Sequence, residues 1–179
     1  MMQIETLCPA HALAQLDALT NVLEGCVADG ASVGFTDIRD RAVMTRFWQS
    51  KIASLAGGEN HLLVARVEGA IVATVMVGFS AMPNGRHRAE IAKLLVHPAA
   101  RRQGIARRLM QQAEQLAAAH GKTLLVLDTR SGDVATSLYL SLGWHIAGSI
   151  PGYAISTTGE LEATTVMFKP LETSAPLGE

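Results

Sequence analysis

"HPAARRQGIARRLMQQAEQLAAAHGK", residues 97–122, sets four arginines (Arg101, Arg102, Arg107 and Arg108) around one glycine, Gly104, where an apolar helix-periodic segment opens. Ile105, Leu109, Ala113 and Leu116 recur at helical spacing and give that segment one apolar face. A helix dipole favours anions at its N-terminus, so arginines alone are mildly unfavourable there. The pattern points to something negative at the helix start. Before it, "AEIAKLLVHP", residues 89–98, reads as a strand that ends at its proline. After it, "TLLVLD", residues 123–128, is the short, nearly continuous apolar run expected of a covered parallel strand. Strand, helix and strand together form a βαβ unit with a right-handed crossover. The fold class follows: a mixed α/β sheet.

Upstream, "HLLVARV" and "AIVATVMVGF" are rich in β-branched and aliphatic residues, with Glu68-Gly69 as the hairpin turn between them. "MPNGRHR", residues 82–88, is a second turn, sharpest at Asn84-Gly85. With the strand at 89–98 these make three antiparallel strands, the third of which opens the βαβ unit. Ahead of them the spacing predicts two helices. One follows Pro9, carries Leu13, Leu16, Leu23 and Val27, and stops at Gly30. The other starts at Thr36 or Asp37, carries Ile38, Met44, Phe47, Trp48, Ile52 and Leu55, and ends at Gly57-Gly58. Between them "DGASVGF", residues 29–35, is a small-residue loop, either a plain turn or a place where backbone approaches a ligand. Downstream, "GDVATSLYLSLGW" reads as a short helix stopped by Gly143, followed by strands at 144–150 and 164–169. No repeat or linker divides residues 1–170, which are expected to form a single domain, with 171–179 as a flexible tail.

The chain has 179 residues, 49% hydrophobic and 17% charged, a composition of packed rather than disordered chains. A net charge of −1 gives bulk binding to nucleic acid or to an acidic membrane no electrostatic support, so neither partner is expected. Cys8 and Cys26 lack metal-ligand spacing and are too few for a disulfide framework, so they read as reduced thiols. The histidines at 61, 87, 97, 120 and 145 show no paired spacing, and no metal is expected. With no membrane-length apolar run and no signal-like N-terminus, a cytoplasmic location is the expectation.

The anion site itself narrows further. Free N–H groups at a helix start can hold phosphate, and Gly104 lets a ligand approach without a Cβ in the way. The arginines would then act as forked donors or point charges; the other reading is a solvated basic face. The segment lacks the Gly-Lys-Ser/Thr of a nucleotide phosphate loop and the three-glycine dinucleotide fingerprint. Arg101-x-x-Gly104-x-Ala106, after a strand ending "KLLVHP", instead resembles the pyrophosphate loop of the GCN5-related N-acetyltransferases, Gln/Arg-x-x-Gly-x-Gly/Ala. "TSLYLSLGW", residues 136–144, and the element order extend the resemblance over nearly the whole chain. Within that family, "GASVGF" (30–35), "PNGRHRAEIAKLLVHPAARRQG" (83–104), "LDT" (127–129) and "PGY" (151–153) are similar to the tabtoxin-resistance acetyltransferases, which acetylate an amino-acid-like toxin.

The resemblance implies a mostly antiparallel sheet with a central, splayed parallel strand pair and helices on both faces. It implies acetyl-CoA as cosubstrate, lying in the splay. The pantetheine arm would pair with the main chain of Leu94, Leu95 and Val96, and the pyrophosphate would meet Arg101, Arg102, Gln103, Gly104, Ile105, Ala106 and Arg107. Thr129 and Ser137 would add cofactor contacts. Tyr139 matches the family's helix tyrosine, proposed as general acid at the CoA sulfur; spacing alone reads it as a core aromatic. Glu90 and Asp128 are the candidate bases for the acceptor ammonium. Glu90 sits among apolar residues, where it either faces a cavity or pairs with Arg88 or Lys93; Asp128 is otherwise a turn residue at a strand end. One departure is Gly132, which stands where many members carry an asparagine. Ser32, Phe35, Asn84 and Tyr153 would wall a pocket for an amino-acid-like amine. The expected activity is N-acetylation of a small-molecule primary amine by direct transfer in a ternary complex, in a monomer or homodimer. A protein or peptide acceptor and a non-catalytic acyl-CoA sensor are the alternatives.

Overall fold

The computed structural model describes residues 1–31, 34, 35, 37 and 39–172. The expected positions of Ser32, Thr36 and Ile38 and most of the expected tail lie outside these. In chain order the elements are β1 (Met2–Leu7), α1 (Pro9–Ala14), α2 (Leu16–Ala28), α3 (Arg41–Ser54), β2 (Asn60–Val67), β3 (Ala70–Phe79), β4 (Arg88–Val96), α4 (Ile105–Ala119), β5 (Leu124–Arg130), α5 (Val134–Ser141), β6 (His145–Ile155) and β7 (Leu161–Pro170). The strands form one sheet in the order β1-β2-β3-β4-β5-β7-β6. Every neighbouring pair is antiparallel except β4 and β5.

Strand alternation sends successive side chains to opposite faces, and both faces are covered. From β2, Leu62 and Val64 join Leu19, Leu23, Met44 and Trp48 in the core under α1–α3. Leu63 and Ala65, one residue away, join Ile105, Leu109, Met110 and Ala113 in the core under α4 and α5. Trp48 is wholly buried, and cutting such a side chain to alanine typically costs about 3–5 kcal/mol. α2 lies close on the end of β4 because Gly25 has no side chain: a Cβ there would stand 2.7 Å from the His97 ring. The next residue, Cys26, is a buried free thiol that donates to the Val96 carbonyl at 3.3 Å. Among the described residues no helix is long and apolar enough to cross a membrane.

The parallel pair is short. Its ladder runs Arg88↔Leu124, Ala89↔Leu125 and Glu90↔Val126, and there it stops, although β4 continues to Val96 and β5 to Arg130. On its other side β4 bulges. Ala92 pairs with Met76 and Leu95 with Thr74, so Lys93 and Leu94 together oppose Val75. Lys93 takes a left-handed φ of +53°, and its carbonyl accepts a hydrogen bond from Thr74 Oγ1 at 2.9 Å. A bulge bends its strand, and this one falls where β4 leaves β5.

Several elements differ from the sequence expectation. β1 was not foreseen; it pairs with β2 along its full length, from Met2↔Val67 to Leu7↔Leu62. The first expected helix is two, broken at Gln15. The next begins at Arg41, because the Asp40 carboxylate accepts from the Val43 N–H at 3.1 Å, while Asp37 closes a local turn on the Arg39 N–H at 2.9 Å. "PGYAI", expected as loop, continues β6 to Ile155. This edge strand is exposed at every position but Ala154, and its register slips between Ile146 and Gly148 and again between Ile150 and Ala154.

Candidate active site

Where β4 and β5 part, a cleft of about 940 Å³ opens through the sheet, lined from both of its faces. Residues 90–96 of β4 and 127–130 of β5 form its walls. The turn into α4 closes one end, and Tyr139 of α5 stands on the α4 side.

That turn is built to offer amides. Arg102 and Gly104 both adopt left-handed φ, +65° and +73°, and Gly104 is the N-cap of α4 with no side-chain cap bond. Successive amides in a turn of this kind converge on one point, and the first N–H groups of a helix lack intrahelical partners. A Cβ on Gly104 would meet nothing within 4 Å, so the space beside the turn is open. The arginines around it divide the work. Arg101 pairs with Asp29 at the end of α2, and its Nε lies 3.4 Å from the Val96 carbonyl. Arg107 donates to Ser141 Oγ at 2.8 Å, bracing the turn against α5. Arg102 is exposed on the lining, and Arg108 is off it.

The two candidate bases stand together. Ala89 and Ile91 belong to the core under α4, as do Leu125 and Leu127. Alternation therefore turns Glu90 and Asp128 to the α3 side of the sheet, both on the cleft lining. Thr164 of β7 orients Asp128: its Oγ1 is 3.0 Å from Oδ2 and 3.1 Å from the Thr129 carbonyl, two acceptors for one proton. Tyr139 lies on the opposite side, 6% exposed, beside Trp144 at 6.0 Å between ring centres. Burial, then the charges of Asp133 and Asp128, push its phenol above the ordinary tyrosine range. Its neutral form is favoured accordingly.

The lining brings together Glu90, Leu94, Leu95, Val96, Arg101, Arg102, Gly104, Ile105, Ala106, Arg107, Asp128, Thr129, Tyr139 and Tyr153. Gln103 and Ser137 are not on it. Phe35 lines an adjoining smaller hollow that shares Tyr153. Asn84 sits in the short 3-10 turn between β3 and β4, on neither. Ser32 lies outside the described residues.

Sequence reasoning missed Lys93, Arg130, Glu162 and Thr164. Arg130 donates to the Gly30 carbonyl at 2.9 Å and lies 3.7 Å from Glu162. With Arg101–Asp29, it ties the start of the 29–40 segment to both sides of the cleft. No local signal marks these residues, because the bulge and the β5–β7 pairing that place them are long-range.

The fold has many solved counterparts. The yncA protein of Salmonella typhimurium, solved with its cofactor acetyl-CoA, superposes with a TM-score of 0.77 at 22% identity, covering 99% of this chain and 98% of the other. A phosphinothricin acetyltransferase from Sinorhizobium meliloti, also in complex with acetyl-CoA, gives 0.79 at 19% identity, covering 95% and 88%. The ribosomal-protein-alanine N-acetyltransferase of Brucella melitensis gives 0.76 at 22%, covering 94% and 99%. In sequence, the Acetyltransferase (GNAT) family pattern matches residues 27–144, which span the ladder that ends at Glu90, the amide turn at Gly104 and the tyrosine of α5. This chain belongs to the GNAT acetyltransferase family.

Proposed function

We propose that the protein transfers an acetyl group from acetyl-CoA to the primary amine of a small amino-acid-like acceptor, in a ternary complex within the cleft. One observation carries the reading. The ladder's end at Glu90–Val126 opens onto uncapped amides at one end, two carboxylates on one face and a phenol on the other. That is the inventory an acyl transfer from a thioester needs.

The amides at 102–107 would hold the diphosphate, chiefly through backbone, with Arg102 adding charge. β4 beyond Glu90 has main-chain groups released from β5, and those of residues 94–96 would pair with the pantetheine arm. Bound there, acetyl-CoA supplies the reactive thioester. Glu90 and Asp128 attract the acceptor ammonium and take its proton, directly or through water, which frees the lone pair for attack. Tyr139 donates its O–H hydrogen bond to the departing sulfur. A free thiol titrates near 8.5, so full proton transfer from a phenol held above its usual range of about 10 is uphill. Tyr139 therefore acts by stabilising the thiolate through a hydrogen bond, rather than by surrendering its proton outright.

The similarity to tabtoxin-resistance acetyltransferases and the phosphinothricin acetyltransferase among the structural counterparts favour an amino-acid-like toxin or antibiotic as acceptor. An acetyl-CoA requirement is met inside the cell, and a cytoplasmic enzyme of one domain over residues 1–170 fits it. The test is release of free CoA by purified protein with acetyl-CoA and a panel of amino acids, amine antibiotics and peptide N-termini. Amine-dependent release with amino acids or antibiotics is the expected result, and release with peptides alone selects a protein acceptor. Tight acetyl-CoA binding with no amine-dependent release would make the protein a sensor.

A further inference from the structure

Beside the cleft, on the side of the sheet that carries Glu90 and Asp128, lies the smaller hollow, of about 360 Å³. Ala31, Gly34, Tyr153 and Ala154 line both spaces, so the hollow opens off the cleft rather than standing apart from it. Two of its residues, Ala31 and Phe35, pack against the core under α1–α3. The Phe35 ring meets Phe47 edge-on, 5.3 Å between centres at 87°, and Phe47 leans in turn on the wholly buried Trp48. The end of β6 adds Tyr153 and Ile155, which are 56% and 59% exposed. The fold leaves this apolar surface to water, and a ligand that covered it would gain by doing so.

The chemistry of the hollow is the opposite of the cleft's. Carboxylates and arginines line the cleft, whereas among the described residues the hollow has no charged side chain. Its polar groups bond largely to the protein itself. The Gly30 carbonyl accepts from Arg130 at 2.9 Å. The N–H groups of Gly30 and Ala31 donate to the carbonyls of Val27 and Cys26, each at 3.0 Å. The Ser156 hydroxyl accepts from the N–H groups of Thr158 and Glu160, each at 3.2 Å, and lies 2.8 Å from Thr158 Oγ1, so it serves its own turn. A charged group entering here would give up water and find few partners. A methylene or a ring gives up nothing of that kind and covers Phe35, Tyr153 and Ile155. The hollow therefore sorts side chains by polarity.

We propose that the acceptor carries an uncharged, apolar side chain, which seats in this hollow while its amine meets Glu90 and Asp128. This rests on the acetyltransferase reading, and the experiment separates the two. The probes are glycine, alanine, α-aminobutyrate, norvaline and norleucine, with glutamate and lysine as charged counterparts, in the CoA-release assay. Each methylene buried should raise kcat/KM about 4-fold until the hollow is full, so norleucine should exceed alanine by about 10- to 10²-fold. Glutamate and lysine should fall to the level of alanine or below. Ile155→Ser and Tyr153→Ala, at positions exposed enough to spare folding, should flatten the series, and Tyr153→Phe should keep it. Calorimetry of the same amino acids against the protein with CoA reads the series without turnover. Binding that grows with chain length, in a protein that releases no CoA with any amine, would keep the assignment of the hollow and end the acetyltransferase reading. Four results would overturn the assignment: turnover indifferent to chain length, a preference for glutamate or lysine, a series unchanged in both Ile155→Ser and Tyr153→Ala, or neither binding nor turnover of any amino acid.

Discussion

Gly104→Val probes the turn on which cofactor binding depends. The glycine's φ of +73° is a conformation a β-branched side chain adopts only under strain of about 1–3 kcal/mol. For a chain of this length each kcal/mol moves the melting temperature about 2–4 °C, so a loss of roughly 4–8 °C is expected for a mid-range cost. Affinity should fall further than stability explains. Either the turn keeps its shape and the new side chain projects into the open space, or the backbone rotates and the amides no longer converge. Losing two charge-assisted N–H bonds at about 1.5 kcal/mol each removes about 3 kcal/mol, near 10²-fold in Kd for acetyl-CoA. Gly121→Val supplies the control. Gly121 has φ +78° and open space around it, but lies beyond the far end of α4. Calorimetry on both variants, with melting curves alongside, separates the effects. Equal losses of stability with unchanged acetyl-CoA affinity in Gly104→Val would refute the assignment of the turn.

Tyr139→Phe should lower kcat by about 10²-fold or more with little change in acetyl-CoA affinity. Because the phenol is held protonated, any alkaline limb of the rate profile should be the same in this variant; a limb that vanishes would show Tyr139 titrating. Glu90→Gln and Asp128→Asn, made singly, should each be assayed for the acidic limb of kcat/KM, which the true base removes; retention in both would leave deprotonation to water. Thr164→Val, which strips Asp128 of its hydroxyl donor, should reproduce part of the Asp128→Asn loss if orientation matters. His61 provides a stability test. Burial, then the charge of His120, lowers its pKa below the ordinary 6.5, so the unfolded chain binds more protons in that window. Stability should fall as pH drops through about 6.5, and His61→Phe, packing against Phe79, should flatten the slope of melting temperature against pH.

What could be read from the chain, and what could not, follows from the range of the forces involved. The βαβ unit was legible because its period changes, its turns and its arginine-flanked glycine are local. β1 was not, since "MQIETL" is an edge strand buried at one position only, and its partners lie 65 residues on at Met2↔Val67 and 55 on at Leu7↔Leu62. The start of α3 was ambiguous because Thr36, Asp37 and Asp40 are all good caps, and only the folded turn selects Asp40. "PGYAI" reads as loop because proline and glycine rarely sit inside paired strands, yet an edge tolerates both. In the cleft, the acids and the tyrosine were found through their setting in the chain. Lys93 was hidden, because a bulge is set by register with β3 rather than by the residues on either side of it.

The interrupted outer strand of the sheet has a consequence for how the protein survives at high concentration. β6 leaves its outward backbone groups unshared and shows Ile146, Ile150, Tyr153 and Ile155 to water, ingredients that invite end-on growth into ribbons. Its two slips in register break the border into stretches of two or three residues, and Pro151 removes one donor altogether. A stray strand arriving there finds no long template to copy.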